Sequence, residues 1–214
     1  MMQKSSMPDL SQYYWTSFGS APIEDVEADI RQGGVTDERI IKATLQVHPG
    51  DFRPWEFLPR PAVVAGIAEA LQPTADAKVL EIGTGTGYLT AVLAGLSKRV
   101  ISFEIIPTFA AMARRSLEDL PEGSKITVIE ADGSAGYPDE APYDCICVHA
   151  SVRQVPSEWK EQLAGGGRLL LALGSNNQQE LQLITRCGST FSTNILGHGG
   201  FSPLRGRYAL ESPS

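Results

Sequence analysis

Short apolar strands alternate with helical segments after Pro61, and this alternation constrains the fold more than any other feature. The predicted strands are Val79–Ile82, Arg99–Glu104, Ile126–Glu130, Tyr143–His149 and Arg168–Leu173. The predicted helices are Ala62–Leu71, Tyr88–Leu96, Phe109–Leu120 and Ser157–Leu163. Strict alternation is typical of an α/β fold in which helices cover both faces of a doubly wound, mostly parallel sheet.

The two ends of the chain depart from this alternation. After Gly174 the pattern predicts two closing strands, Glu180–Arg186 and Phe191–Leu196, joined across Gly188-Ser189. This hairpin would give the sheet an antiparallel edge. Before Pro61 the pattern predicts two short helices between Pro22 and His48, broken at Gly33-Gly34, with Thr36 as the N-cap of the second.

These segments are expected to form one domain over residues 1–214. Residues 1–60 form an N-terminal helical and lid segment, and residues 61–214 form the core that holds the site. Tyr13, Tyr14, Trp15 and Phe18 are predicted to pack the N-terminal segment onto the core. A ligand-stacking aromatic cage is the alternative interpretation of these four residues.

Composition excludes several classes of protein. A net charge of −7 and a pI near 5.0 lack the basic footprint of a nucleic-acid-binding protein. No apolar run reaches the roughly 20 residues of a membrane span, and the first residues lack the pattern of a secretory signal. Three cysteines, with Cys145 and Cys147 in an apolar stretch, predict packing thiols rather than a disulfide framework or a metal site. We therefore expect a cytoplasmic protein, and the sequence leaves its oligomeric state open.

The first predicted strand runs directly into a glycine-rich loop, G-x-G-x-G from Gly83 to Gly87, and Tyr88 then begins a helix. Glycines between a strand and a helix allow the backbone to approach a ligand closely. Glu81 lies two residues before the first glycine, where a carboxylate would repel a pyrophosphate but attract a sulfonium and an ammonium. The loop therefore suits S-adenosylmethionine better than a dinucleotide.

Two further loops follow the second and third predicted strands. Glu104 ends the second strand, where its carboxylate can accept hydrogen bonds from both ribose hydroxyls. Asp132 follows the third strand and is placed to accept from an adenine amino group, with Gly133 leaving room for the ring. His149 and Ser151 end the fourth strand at the mouth of the same site.

Taken together, these motifs resemble the protein-L-isoaspartate O-methyltransferases. The similarity runs from about Val35 to Leu204 and includes VLEIGTGTGYLTAVLA, ADGSAGYP, APYDCICV and the late Phe201–Leu204 motif. The resemblance implies S-adenosylmethionine as cofactor and a carboxylate oxygen as methyl acceptor. It further implies a set of cofactor-lining residues: Glu81, Gly83, Thr84, Gly85, Gly87, Tyr88, Glu104, Ile105, Asp132 and Gly133.

The chain departs from this family between Phe52-Arg53-Pro54 and Pro61. The family carries a longer loop here with a Gly-Gln-Thr-x-Ser-Gln-Pro sequence that closes over cofactor and peptide. This chain has only Trp55 to Arg60, and Pro59 stands at the family's Ser position. The predicted substrate-side residues are therefore Pro59, Arg60 as a clamp for a carboxylate, and His149 as a base.

Carboxylate methylation fits the lack of a clear catalytic dyad, because a carboxylate is already ionised near neutral pH. Protein L-isoaspartyl residues are the expected acceptor. Three alternatives stay open at this point: a different peptide or small-molecule carboxylate, a non-catalytic S-adenosylmethionine-binding relative, and a nicotinamide dehydrogenase.

Overall fold

A seven-stranded sheet in the order β3-β2-β1-β4-β5-β6-β7 forms the centre of the molecule. The structure is a computed structural model and describes residues 25–53, 57–175 and 178–209. The strands are β1 (Lys78–Ile82), β2 (Arg99–Glu104), β3 (Ile126–Glu130), β4 (Tyr143–Val152), β5 (Leu163–Ser175), β6 (Gln178–Cys187) and β7 (Thr190–Gly199). β1 to β5 are parallel, while β6 and β7 pair antiparallel at one edge. The predicted mixed sheet and its antiparallel edge are confirmed.

Helices cover both faces of the sheet. They are α1 (Val26–Gln32), α2 (Glu38–Gln46), α3 (Pro61–Leu71), α4 (Tyr88–Leu96), α5 (Pro107–Glu118) and α6 (Ser157–Glu161). Alternate residues of β1 point to opposite faces, so Val79 joins one apolar cluster with α2, α3 and α4, and Leu80 joins a second cluster with Trp159 of α6. Cys145 and Cys147 are buried in the first cluster.

Two sequence-based boundaries were wrong. Asp37, not Thr36, caps α2, because its carboxylate accepts from the Arg39 amide at 2.9 Å. The Thr36 amide and hydroxyl instead donate to Glu69 of α3, at 2.8 and 3.2 Å. At the other end of the chain Leu163, predicted as the end of a helix, begins β5 and is fully buried.

Three predictions fall wholly or partly outside the described residues. The aromatic cluster of Tyr13, Tyr14, Trp15 and Phe18 lies there, as does the predicted helix start at Pro22. Trp55 and Glu56 of the shortened segment lie there as well. The one-domain organisation stays a prediction. Within the part of the chain that the structure describes, no helix is long and apolar enough to cross a membrane.

Arg60 lies at the beginning of α3 and forms an ion pair with Asp29 of α1. The Asp29 carboxylate is 6% exposed, and its second oxygen accepts from the Ala62 amide at 3.1 Å. It therefore satisfies one free amide of the first turn of α3 and ties α1 to that turn. Arg60 was predicted to clamp a substrate carboxylate. That prediction is not supported, because the Arg60 guanidinium already binds the carboxylate of Asp29.

We expect Asp29→Ala to lower the free energy of unfolding by about 1 to 3 kcal/mol, since it leaves the Ala62 amide and the Arg60 guanidinium without their acceptor. Urea titration followed by circular dichroism measures this difference. Asp76→Ala, which removes an exposed carboxylate with no hydrogen bond among the described residues, is the matched control. Equal stability of the two variants would show that the Asp29 contacts contribute nothing.

Candidate cofactor and acceptor site

The strand order reverses beside β1, which has β2 on one side and β4 on the other. Ligands of open parallel sheets bind beyond the carboxyl ends of the strands at such a reversal. A cavity opens there, with walls from the loops after β1, β2 and β3, the end of β4, and the segments around Pro59 and Phe201.

Six of the predicted cofactor residues line this cavity: Gly83, Thr84, Gly85, Glu104, Ile105 and Gly133. The predicted substrate-side residues Pro59 and His149 line it as well. Glu81, Gly87, Tyr88 and Asp132 are not part of the wall, and neither is Arg60. The residues predicted from the sequence therefore cluster at this cavity. Some of them lie behind the wall rather than on it.

Backbone hydrogen bonds hold the glycine-rich loop in place. The amides of Gly83 and Thr84 both donate to the Phe103 carbonyl at the end of β2, at 2.8 and 3.1 Å. Gly83 and Gly85 have φ values of +98° and +55°, which side chains of L residues rarely adopt. A Cβ on Gly85 would meet no atom within 4 Å, so this part of the loop faces open space.

Glu104 is the acidic side chain among the described residues of the cavity wall. It is 6% exposed, and its two oxygens accept from the amides of Gly85 at 2.8 Å and Ile106 at 2.9 Å. Each carboxylate oxygen can accept a second hydrogen bond. The side chain is thus fixed in position while it keeps acceptor capacity for a ligand.

Glu81 lies behind the loop rather than on the wall. It is fully buried on the face of β1 that packs on α4, where one carboxylate oxygen accepts from Thr90 at 2.5 Å and from Ser102 at 2.6 Å. Ser102 in turn is 2.6 Å from the Thr84 hydroxyl. A direct contact with the cofactor is not supported for Glu81. Its carboxylate reaches the loop through Ser102 and Thr84.

Asp132 and Gly133 also differ from their predicted functions. The Asp132 carboxylate accepts from the amides of Ser134 at 2.9 Å and Arg207 at 2.7 Å, and these bonds hold its pKa below the usual range. A Cβ on Gly133 would come within 2.5 Å of Phe103, so this glycine makes room for Phe103 rather than for a ligand ring. Asp132 therefore joins the loop after β3 to the C-terminal segment.

Gly87 and Tyr88 support the loop from its far side. A Cβ on Gly87 would come within 3.2 Å of Leu117 in α5, and its φ is +89°. Tyr88 is fully buried, with its ring 5.4 Å from that of Phe52. Both residues set the direction in which α4 leaves the loop.

His149 faces the cavity beside Phe201, with ring centroids 5.6 Å apart. Burial lowers the pKa of His149 to about 4, so the imidazole is neutral at physiological pH. Its imidazole makes no hydrogen bond with the described residues. It is a much weaker base than the unperturbed histidine that the sequence suggested.

Sequence reasoning missed several wall residues, among them Phe57, Phe109 and Arg205. Phe57 is 54% exposed and meets Phe109 edge-on, with centroids 5.6 Å apart. Phe109 lies in the first turn of α5, which begins directly after the loop that carries Glu104 and Ile105, and this position could have indicated it. Arg205 comes directly after the Phe201–Leu204 motif, so extending that motif by one residue would have included it.

A family model matches residues 56–209, and its description is protein-L-isoaspartate(D-aspartate) O-methyltransferase. Relatives named protein-L-isoaspartate O-methyltransferase include one from Methanoregula boonei, 33% identical over 87% of this chain and 94% of its own length. The Marinobacter nauticus relative named protein-L-isoaspartate O-methyltransferase 2 is 38% identical over 81% and 87% of the two chains.

Two solved structures have a similar fold. A protein-L-isoaspartate O-methyltransferase superposes with a TM-score of 0.76 at 25% identity, covering 86% of this chain and 66% of that one. A putative one from Plasmodium falciparum, in complex with S-adenosyl-L-homocysteine, gives a TM-score of 0.73 at 19% identity over 84% and 96%. This chain thus spans about two thirds of the first structure and nearly all of the second.

The alignment lengths indicate that this chain has gaps relative to the Methanoregula boonei protein. The Methanoregula boonei alignment runs over 204 positions, whereas 87% of 214 residues is about 186, so about 18 positions of the relative face a gap here. The sequence predicts a loss of similar size, fifteen to twenty residues, before Pro61.

We expect Glu81→Gln to remove a pH-dependent loss of stability. Burial raises the pKa of Glu81 to about 7, against 4.5 for the free side chain. Between these values the folded protein keeps a proton that the unfolded chain has released, so wild-type stability falls as the pH rises through this range. Roughly 2 to 3 kcal/mol of that fall should be missing from the variant.

Free energies of unfolding in urea at about pH 5 and pH 8 measure this effect. Glu118→Gln, which neutralises an exposed carboxylate on α5, should keep the wild-type pH dependence. If Glu81→Gln lost as much stability between the two pH values as the wild type, burial of the Glu81 carboxylate would not be the cause.

Proposed function

This chain belongs to the protein-L-isoaspartate(D-aspartate) O-methyltransferase family, and on that premise we propose that it transfers a methyl group from S-adenosylmethionine to the free carboxylate of isoaspartyl residues in proteins. The family match covers residues 56–209, which include every described wall of the cavity. Three free cysteines suit a reducing compartment, so we propose the cytoplasm as its location.

The observation that carries this proposal is the shared cavity of the glycine-rich loop and Glu104. The Glu104 carboxylate keeps acceptor capacity for ribose hydroxyls, and Ile105, 37% exposed, offers an apolar surface beside it for a base. A carboxylate at the end of the second strand suits the ribose of any nucleoside, and the family match is what favours S-adenosylmethionine over a dinucleotide. The residues present therefore fit S-adenosylmethionine.

We assign the cofactor to Gly83, Thr84, Gly85, Glu104 and Ile105. Gly133 lines the same cavity and leaves room for Phe103. When bound, S-adenosylmethionine supplies an electrophilic methyl group, so the chain itself needs no electrophile. The glycine-rich loop and Glu104 fix the orientation of the nucleoside. Glu81, Gly87, Tyr88 and Asp132 act from behind the wall by holding the loops in place.

On the acceptor side, the chain mainly has to align a nucleophile and exclude water. A carboxylate needs no proton removed at neutral pH, which agrees with the low pKa of His149. Phe57, Phe109 and Phe201 form apolar parts of the wall that limit access of water. Pro59 offers no hydroxyl, so recognition of the acceptor carboxylate must come from other residues.

The Pro59 position also supports a second candidate acceptor. Because the hydroxyl that the family presents to the isoaspartyl carboxylate is missing, we propose a different peptide or small-molecule carboxylate as the second candidate substrate of the same site. The reaction class and the cofactor are the same in both cases.

We expect Glu104→Ala to weaken binding of S-adenosyl-L-homocysteine by roughly 1.5 to 3 kcal/mol, the usual worth of hydrogen bonds to a charged group. Isothermal titration calorimetry measures the dissociation constant. Glu130→Ala is the matched control, because Glu130 ends the neighbouring strand in register with Glu104 but lies outside the cavity wall. An unchanged constant for Glu104→Ala would contradict the assignment.

We further expect the protein to transfer radiolabelled methyl to a synthetic isoaspartyl peptide and at least tenfold less to the same peptide with normal aspartate. The label should be lost on mild base treatment, because a methyl ester hydrolyses and a methylated amine does not. Equal labelling of both peptides, or label stable to base, would contradict the proposed acceptor. Transfer only to an unrelated carboxylic acid would favour the second candidate.

A further inference from the structure

Arg205 is the cationic side chain among the described residues that line the cavity. The other titratable side chains of that wall are Glu104, which is an acid, and His149, whose low pKa keeps it neutral. An anionic acceptor entering the cavity therefore meets one negative charge and one positive charge. Arg205 is the group that can attract it.

The Arg205 guanidinium is exposed and has neither a hydrogen bond nor an ion pair with any described residue. Some arginines of this acidic chain are held by carboxylates: Arg60 pairs with Asp29, Arg99 with Glu140 at 3.0 Å, and Arg114 with Glu130 at 3.3 Å. Arg205 lines the cavity without such a partner among the described residues. The Arg205 donors are thus available to a ligand.

The backbone on the N-terminal side of Arg205 is attached to the end of β4. The Leu204 amide donates to the Ser151 carbonyl at 2.9 Å, and the Ser151 amide donates to the Ser202 carbonyl at 2.9 Å. Pro203 forms a parallel bridge with the same strand residue. These contacts fix the rim of the cavity up to the residue before Arg205.

The backbone on the C-terminal side is attached to the loop after β3. The Arg207 amide donates to the Asp132 carboxylate at 2.7 Å. Gly206 has a φ of +104°, and a Cβ there would come within 2.2 Å of Asp132. The main chain on both sides of Arg205 is therefore anchored, and its side chain extends from a fixed point.

From this geometry we propose that Arg205 binds the carboxylate that receives the methyl group, an inference that rests on the proposed function. A guanidinium presents parallel N–H donors that match the two oxygens of a carboxylate. Arg205 supplies the recognition that Pro59 lacks. It binds and orients the acceptor, and it neither accepts nor delivers a proton.

Two peptides and three variants test this inference. The first peptide contains one isoaspartyl residue, and the second replaces its free α-carboxylate with a carboxamide. Binding of each to the protein saturated with S-adenosyl-L-homocysteine is measured by calorimetry for the wild type, Arg205→Ala, Arg205→Lys and Arg115→Ala. Arg115 lies on α5, outside the cavity wall, and is the matched control.

We expect Arg205→Ala to weaken binding of the isoaspartyl peptide about tenfold or more, the usual effect of losing hydrogen bonds to a charged group. Binding of the carboxamide peptide and of S-adenosyl-L-homocysteine should change less than about twofold, and Arg115→Ala should behave as the wild type. The affinity of Arg205→Lys for the isoaspartyl peptide should lie between those of the wild type and Arg205→Ala. Lysine keeps the positive charge but lacks the paired N–H donors of the guanidinium. In turnover, KM for the isoaspartyl peptide should rise while kcat changes little.

Unchanged binding of the isoaspartyl peptide by Arg205→Ala would overturn the inference, as would an equal loss for both peptides. The outcome is separable from that of the proposed function. If the wild type transfers the methyl group and Arg205→Ala transfers it equally well, only the inference about Arg205 is contradicted. Binding that depends on Arg205 without methyl transfer would contradict the proposed function alone, and a wild type that does not bind the isoaspartyl peptide would contradict both.

Discussion

The parallel pairing of β1 with both β2 and β4 is the constraint on which the site depends. Because all three strands run in the same direction, their carboxyl ends meet at one edge, and their following loops must leave from that edge. The helices that start there diverge to opposite faces and leave a gap between them. The glycine-rich loop, Glu104 and His149 come from distant parts of the chain and reach one cavity for this reason.

Glu81 shows how a buried carboxyl group can organise a site that it does not enter. Its lateral neighbours on the sheet are Ser102 of β2 and Cys147 of β4, as the register of parallel strands requires. Burial disfavours the ionised form, and the hydroxyls of Ser102 and Thr90 offset part of that cost. Burial of Glu81 thus lowers the free energy of unfolding. In return, its hydrogen bonds fix the position of the loop that begins two residues later.

The sequence predicted the strands near the site well, since β2 and β3 begin and end where the apolar runs do. It failed where a tertiary partner decided the outcome. Glu69 draws Thr36 away from the cap, Asp29 takes the guanidinium of Arg60, and Arg207 takes a carboxylate oxygen of Asp132. Each partner is far along the chain, so no local pattern could reveal it. Arg205 was missed for a different reason, since the motif found in the sequence ends at Leu204, one residue before it.

The ion pair between Arg60 and Asp29 has a kinetic consequence. Phe57 lies three residues before Arg60, and three extended residues reach only about 11 Å. Its ring also packs on Phe109. A rim this short, tied at Arg60, cannot swing aside as a long loop does when it opens and closes over a bound peptide. For the described residues 57–60, entry of acceptors and release of methylated products therefore do not depend on a long loop that opens and closes.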